Sequence, residues 1–568
     1  MNSEAWYKFY GNTPKSLNYP EKSMYEMAEE SAHKYPDNKA YDFMGNTKTY
    51  KEFMKEIDIC AKALLVEGIK PGDRVTICLP NTPQAIIMLY AINKIGAIAN
   101  MVHPLSAENE ILFYLTVSES VLAITLTDFY SKFEAIKGQS KLKKVIVTKI
   151  GEALPLVKSI AYKFIGHERK ITTSADVITY KDFMAGGKNY EGAVPSTSGA
   201  YDTAAILYSG GTTGKSKGIL LSNMNFNALA LQTIAASGCF EAGDVMLSAM
   251  PVFHGFGLGV CIHTMIAGGG MCALIPKVDV KEFAGHIKKY HPNYMAGVPT
   301  LFEAMMRSEG MQNIDMSDLK GVFSGGDSLS VPLKKKIDAF LKSHGANIQV
   351  REGYGLTECV TASCLTPKDY YREGSIGVPY PDVFYKIVIP ETYDEAEPGE
   401  LGEICISGPT LMTGYLNEPK ETAKTLQIHD DGRTWLHTGD LGYMDEDGFI
   451  YFKQRLKRMI ITSGYNVYPS QIENVIDSHE AVMLSTVIGV KDDYRMQRIK
   501  AFIVLKPGFT ATDELKAEIR ELCERNIAKY ALPREYEYRD SLPKTLVGKV
   551  AYKVLEQEEN DKANALKC

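Results

Sequence analysis

Short apolar runs recur along the chain, with helix-period stretches between them. RVTICLP (74–80), KKVIVTK (143–149), AAILYSG (204–210), GILLS (218–222) and VMLSAMP (245–251) have strand length. PQAIIMLYAINKIGA (83–97) instead repeats its apolar residues at helical spacing. Strands alternating with helices predict α/β architecture with largely parallel sheets. Past about residue 400 the texture changes. GELGEICISG (399–408) and DGRTWLHTGDLGYMDEDGFIYFKQ (431–454) place Gly and Asp between short apolar runs and read as hairpins and a meander, with DEDG (445–448) as a hairpin turn. After KQRLKRMI (453–460) an α+β pattern follows: a helix over 470–479, strands at 482–489 and 500–506, and a helix over 513–530. The boundary falls in the charged connector from Arg455 to Lys457, which predicts domains 1–454 and 455–568. One continuous domain is the alternative, but single cores rarely grow to this size.

The segment LPLVKSIAYKFIGHERK (154–170) puts Leu156, Val157, Ile160, Ala161 and Phe164 on one side of a helix, flanked by Lys158, Lys163 and Arg169. Two readings stay open: an amphipathic helix packed on the body, or an interfacial helix making a peripheral membrane contact.

Composition narrows the class. The 568 residues carry 63 Lys+Arg and 69 Asp+Glu, a net charge of −6, with 45% hydrophobic and 23% charged residues. These are values of a folded globular protein. Mild acidity argues against general nucleic-acid binding, which wants a basic face. The ten cysteines are scattered and none form a CxxC pair, so neither a zinc site nor a disulfide framework is suggested. Free thiols fit a reducing compartment. The first residues, MNSEAWYKFYGNTPKS, hold no apolar core of signal-peptide length, and no run of 18 apolar residues occurs. The expected location is cytoplasmic, with membrane association through 154–170 as the variant.

YSGGTTGKSKG (208–218) is the most informative stretch. Ser209, Gly210, Gly211, Thr212, Thr213 and Gly214 form a run of small or hydroxyl residues before Lys215. Glycines let the backbone approach a ligand, and turns can aim successive N–H groups at an anion. Ser216 adds a hydroxyl, and Lys215 and Lys217 add positive charge. The loop suits a polyphosphate. It is not a Walker A loop, because Ser209 stands where that pattern needs Gly, and because an apolar strand-like run follows rather than a helix.

This loop resembles the signature of the AMP-forming adenylate synthetases, the superfamily of acyl-CoA synthetases, luciferases and peptide-synthetase adenylation domains. The likeness continues in order through MPVFHGFG (250–257), SGGDSLS (324–330), REGYGLTE (351–358), GELGEICISGPTLMTGYLN (399–417), WLHTGDLG (435–442), QRLKRMIITSGYNVYPSQIE (454–473) and PKTLVGK (543–549). It implies an α/β fold: a large N-terminal domain of two parallel-type α/β subdomains plus a β-barrel-like subdomain, and a small mobile α+β C-terminal domain. It also implies a two-step reaction with ATP, Mg²⁺ and coenzyme A. A carboxylate attacks the α-phosphorus of ATP, giving acyl-AMP and pyrophosphate, and a thiol then displaces AMP. An anion must approach a polyanion, so fixed cations are needed.

The same resemblance implies roles. Gly325, Gly326 and Asp327 border the adenine, and many relatives carry a small apolar residue in place of Asp327. In Gly353-Tyr354-Gly355 the tyrosine offers a flat face to the adenine. Thr357 offers its hydroxyl to the α-phosphate, and Glu358 offers a hard oxygen to Mg²⁺. Asp440 takes the ribose diol, which suits a carboxylate with two acceptor oxygens, and Arg455 is a second ribose contact. Lys549 bridges the attacking carboxylate and the phosphate. Lys544 lies nearby, but the Gly-Lys pair favours Lys549. Lys457 is the hinge of the C-terminal domain, and Ser463, Gly464 and Tyr465 approach the thiol channel. His254 lies near the path of carboxylate and thiol, with a structural histidine as the other reading.

No Asp holds an amino group in the MPVFHGFG region, so an acid without an α-amine is expected. FHGFGLGVC (253–261), AGVPTLF (296–302) and GLTECVTAS (355–363) are apolar or small, and Gly255, Gly257 and Gly259 are expected to leave room for a narrow tail. An alkyl chain gains about 0.8 kcal/mol per buried CH₂ against such a wall. TECVTAS and the 154–170 segment look like those of bacterial medium- and long-chain fatty-acid ligases. A fatty acid is favoured, with aryl and bile acids open. The 19 residues after Lys549 have no room for a carrier domain, so free CoA is the expected acceptor. A ligase loading a separate acyl carrier protein is the runner-up, and a catalytically silent lipid- or nucleotide-binding relative is the reading from another class.

Overall fold

The structure is a computed structural model. It describes residues 5–155, 157–159, 171–209, 216–390, 392–462, 465–492, 495–544 and 550–565. By contact the chain divides into two units. The first holds Met1–Tyr385, Cys405–His437 and Glu446–Phe449, and the second Lys386–Ile404, Thr438–Asp445 and Ile450–Cys568.

In the first unit two large sheets stand out among the described residues. One runs in the order Gly414–Tyr415, Lys217–Ser222, Thr203–Ser209, Ile98–Met101, Arg74–Cys78, Leu122–Leu126, Lys144–Thr148, Val177–Thr179. From Thr203–Ser209 to the far edge its pairings are parallel. The expected parallel character therefore holds, but Thr203–Ser209 meets Lys217–Ser222 antiparallel, with Ser209 opposite Lys217. Loop length is the reason. Antiparallel neighbours close through a short loop, whereas parallel ones need a crossover of about a dozen residues or more. The other sheet has a parallel centre, Met271–Leu274, Val245–Ser248, Tyr294–Gly297, Gly321–Ser324 and Val350–Tyr354. It is extended antiparallel by Cys364–Leu365 and Val378–Pro379.

Helix Pro83–Lys94 has Pro at its first position, where no amide hydrogen is needed. Every one of its residues is buried, so its polar groups must be satisfied inside. Asn93 Nδ2 donates to Asn223 Oδ1 at 2.7 Å, and Lys94 Nζ meets Asp58 Oδ1 at 2.9 Å. Helices Tyr50–Val66 and Asn223–Ser237 begin with capping boxes, Thr49 with Glu52 and Ser222 with Asn225. Val322, Val350, Ile337, Leu341 and Phe302 form one buried cluster, and Cys78, Ile111, Leu115, Phe133 and Val147 another. Such side chains contribute about 1.5–3 kcal/mol each on burial.

In the second unit, residues of Thr434–Met444 pair with Ile450–Arg455, so the expected hairpin turn at 445–448 is present. Val482–Asp492 and Met496–Leu505 form a long antiparallel pair, extended parallel by Glu535–Tyr538. Their side chains alternate between two clusters. Val487, Ile499, Ala501 and Ile503 pack with Ile472, Ile476 and Ile519, whereas Ile488, Val490, Phe502 and Val504 pack with Leu542 and Leu555. The helix expected over 470–479 runs Pro469–Asp477, and that expected over 513–530 stops at Asn526. Lys500 Nζ meets Glu537 at 2.8 Å and Glu559 at 3.0 Å. Burial opposes its charge, but the two carboxylates more than offset this and hold its pKa above the ordinary lysine value. Glu559 lies on helix Tyr552–Ala565, so the network ties that helix to the sheet.

Most of the 154–170 segment, namely 156 and 160–170, lies outside the described residues; 157–159 form a helical turn with Val157 exposed. No helix among the described residues is long and apolar enough to cross a membrane.

Candidate active site

The described stems of the phosphate loop are Ser209 and Ser216-Lys217. Gly210, Gly211, Thr212, Thr213, Gly214 and Lys215 lie outside the described residues. The stems are firmly based: Tyr208 Oη donates to Asn100 Oδ1 at 2.7 Å, and Tyr114 Oη lies 3.4 Å from Ser216 Oγ.

Gly325 follows strand Gly321–Ser324, and Ser324 is the register partner of Glu352. The segments 325–327 and 353–355 are therefore neighbours. A Cβ on Gly325 would lie 3.3 Å from the Gly353 carbonyl oxygen. Gly326 has φ +80°, which favours glycine, and the Ser328 amide donates to Asp327 Oδ1 at 2.9 Å. Sequence reasoning passed over Glu352, whose Oε1 accepts from the Leu329 amide at 3.0 Å and so ties the two segments. Burial pushes its carboxyl up to about 7, partly offset by that amide and by Lys334.

Gly353 and Tyr354 end strand Val350–Tyr354 and pair with Leu365 and Cys364. A short 3₁₀ turn, Thr357–Cys359, follows Gly355 and buries Thr357. Val360 and Thr361 then take φ 53° and 90°. A β-branched residue there is a real outlier, costing on the order of 1–3 kcal/mol. Glu358 is anchored twice. The Met412 amide donates to its carbonyl oxygen at 2.8 Å, and Tyr415 Oη donates to its Oε1 at 2.9 Å. Residue Tyr415 pairs with Ile219 on the strand leaving the phosphate loop. The fold thus brings together the loop stems, Glu358 and the 325–327/353–355 pair. Tyr415 stood in the TGYLN stretch without an assigned role, and its 57-residue separation from Glu358 hides the contact. Glu358 offers a carboxylate, a hard-oxygen donor of the kind that Mg²⁺ takes, and this fits the ion.

His254 is half-buried, and its Nδ1 accepts from the Phe256 amide at 3.3 Å. It lies two residues before a π-helical segment, Phe256–His263. Here one expectation is corrected. The space that a Cβ would take at Gly257 is filled by the Pro251 carbonyl oxygen at 2.0 Å, and at Gly259 by Leu229 Cδ2 at 2.6 Å. At Gly255 Thr361 Cβ stands 3.1 Å away. These glycines let the chain pack on itself rather than hold a tail-shaped space. His263 is fully buried between Tyr90 Oη, 2.9 Å, and Asn227 Oδ1, 2.8 Å, and burial pushes its pKa down to about 3. It is a neutral structural histidine.

The remaining candidates lie in the second unit. Asp440 is the register partner of Arg455, and Arg455 Nε lies 3.4 Å from Asp440 Oδ1. Asp440 is buried and Arg455 half-exposed. The turn before Asp440 is held by its amide on Thr438 Oγ1 at 3.0 Å and by the Gly439 amide on Glu403 Oε1 at 2.8 Å. Lys457 falls in the 3₁₀ turn Leu456–Arg458, and Tyr465 starts strand Tyr465–Val467. The side chains of Lys457 and Tyr465, and all of Ser463, Gly464 and Lys549, lie outside the described residues. The flanks of the last are described: Lys544 and Val550 form an antiparallel bridge, and the Ala551 amide donates to the Pro543 carbonyl at 2.8 Å.

The model of the AMP-binding enzyme family matches residues 28–416, and that of the AMP-binding enzyme C-terminal domain matches 471–549. The chain belongs to the AMP-binding enzyme family. Among curated relatives, a long-chain-fatty-acid–CoA ligase of Bacillus subtilis is 35% identical over 573 residues, covering 99% of each chain. One from Salmonella typhimurium is 32% identical over 575 residues, again covering 99% of each. Among solved structures, ATP-bound MatB from Rhodopseudomonas palustris superposes with a TM-score of 0.81 at 25% identity, covering 95% of this chain and 99% of that one. The family expected from the motifs is the family found, and so is the α/β fold with a large and a small domain.

Proposed function

We propose that this AMP-binding enzyme is an ATP-dependent, AMP-forming acid–CoA ligase acting on a long-chain fatty acid. The observation that carries the reading is likeness to long-chain-fatty-acid–CoA ligases over nearly the whole of both chains. The acid's carboxylate oxygen bonds to the α-phosphorus of ATP and pyrophosphate leaves. The CoA sulfur then bonds to the acyl carbon and AMP leaves.

In this reading Gly325, Gly326, Asp327 and Gly353-Tyr354-Gly355 seat the adenine. Thr357 donates to the α-phosphate. Asp440 takes the ribose hydroxyls with Arg455 beside it. The loop from Ser209 to Lys215 cradles the polyphosphate. Glu358 holds Mg²⁺, which when bound neutralises phosphate charge. Lys549 neutralises charge where the two anions meet. The C-terminal domain, 455–568, turns about Lys457 between the half-reactions, and Ser463, Gly464 and Tyr465 then meet the thiol. His254 flanks the acyl carboxylate.

Pyrophosphate release from Mg·ATP across acids from acetate to oleate, with and without CoA, tests this. CoA-stimulated release peaking at a long chain is the expected result. Release that ignores CoA and needs an acyl carrier protein would sink it. The same reading places 154–170 against lipid, where a long-chain acid partitions. Val157 is 79% exposed at the start of that segment. Co-sedimentation with anionic vesicles should fall when Val157 and Lys158 become Glu; unchanged sedimentation would refute the membrane contact.

A further inference from the structure

We propose that Tyr415 is a positioning residue that aims the Glu358 carboxylate at its cation. The inference rests on the reading of Glu358 as the magnesium ligand. Tyr415 is buried at the end of the two-residue strand Gly414–Tyr415. Its backbone is fixed on both sides of that strand: the Thr413 amide donates to the Leu220 carbonyl at 3.0 Å, and the Leu416 amide to the Gly218 carbonyl at 2.8 Å. Its own amide donates to Thr422 Oγ1 at 2.9 Å. Above the ring sits Lys217 Nζ, 4.7 Å from the centroid, a cation–π contact. Lys217 is in turn held by Glu421 Oε2 at 2.7 Å. The ring therefore has little freedom, and its hydroxyl donates to Glu358 Oε1 at 2.9 Å.

Packing alone would be served by phenylalanine, so the hydroxyl needs a separate account. A phenol keeps its proton at neutral pH, and a carboxylate only accepts, so the hydroxyl is the donor of this bond. A carboxylate has about four lone-pair sites, and one donated bond on Oε1 leaves Oε2 to a cation. A ligand held in place beforehand binds its ion without reordering. The same short strand links Glu358 to the strand leaving the phosphate loop, so the carboxylate and the polyphosphate cradle share one scaffold.

The test is Tyr415→Phe, which keeps the ring and its cation–π contact. Calorimetry would measure binding of adenosine α,β-methylene triphosphate with and without Mg²⁺. The Mg²⁺-dependent gain in affinity should shrink about 10- to 100-fold, the scale of one hydrogen bond to a charged group. Metal-free affinity should stay unchanged. Glu358→Gln, run in parallel, should also shrink the gain, and adding Tyr415→Phe to it should change nothing further. A normal gain in Tyr415→Phe with a reduced one in Glu358→Gln would overturn the positioning role alone. So would equal weakening with and without metal, which marks a merely structural role. A normal gain in Glu358→Gln would overturn the magnesium-ligand reading beneath it.

Discussion

Gly355→Ala puts one carbon into a place already filled by main-chain atoms. The added Cβ would lie 2.3 Å from the Thr361 carbonyl oxygen, 2.6 Å from its carbonyl carbon and 2.8 Å from the Ala362 nitrogen. Heavy atoms in contact prefer about 3.5–4.0 Å, so the two backbone segments must part by roughly 1 Å. No flexible side chain can yield instead, because every one of these atoms is main chain. The opposing segment is itself held by the Thr361 amide on the Leu356 carbonyl at 2.7 Å and the Ser363 amide on the Tyr354 carbonyl at 2.9 Å. Overpacking typically costs about 1–3 kcal/mol, and weakening these bonds adds on the order of 1 kcal/mol each. The expected loss is about 3–5 kcal/mol of stability. Thr357 and Glu358 follow directly, and a displacement near 1 Å can cost about 10²-fold in rate. Both half-reactions should fall, since both use the bound adenylate. Denaturant unfolding and pyrophosphate release measure the two effects. Gly285→Ala is the control: nothing stands within 4 Å of its added Cβ, and it should be neutral or slightly stabilising. If Gly355→Ala matched the wild type in both assays, the close approach would not be a constraint on the site.

Two further outcomes follow from other residues. The neutral His263 has a pKa of about 3 when folded against an ordinary 6.5, so below pH 6.5 the unfolded chain takes up a proton that the native one does not. Stability is full above 6.5 and falls as pH drops towards 3, by at most about 1.4 kcal/mol per unit for this one group; between pH 7 and 5 the slope for His263→Gln should be shallower by about one proton, and an unchanged slope would mean that the buried imidazole titrates normally. Lys549→Ala should lower acyl-AMP formation by about 10²–10³ while sparing thioester formation from supplied acyl-AMP; equal loss in both would refute the alternation about Lys457.

The strands that flank the phosphate loop were legible because each declares itself locally. AAILYS and GILLS are apolar runs of strand length, joined by residues too small and too few for a parallel return. The hairpin of Asp440 and Arg455 was legible in the same way, from the DEDG turn between its arms. What stayed hidden depends on neighbours far along the chain. Tyr415 reaches Glu358 only because Gly414–Tyr415 joins the edge of a sheet whose other strands lie between residues 74 and 222. A period of two or of 3.6 carries no information about which edge a short strand will join. Glycine is ambiguous for a different reason: the sequence records that a side chain is missing, not what takes its place. Gly326, with φ +80°, serves a turn, whereas at Gly257 and Gly355 the protein's own carbonyl groups stand where a Cβ would go. A glycine in a motif is therefore evidence of close approach, by ligand or by backbone, and only the packing around it says which. At Gly257 and Gly259 the answer is the chain itself, so room for an acyl tail must come from side chains that line the path and not from these positions.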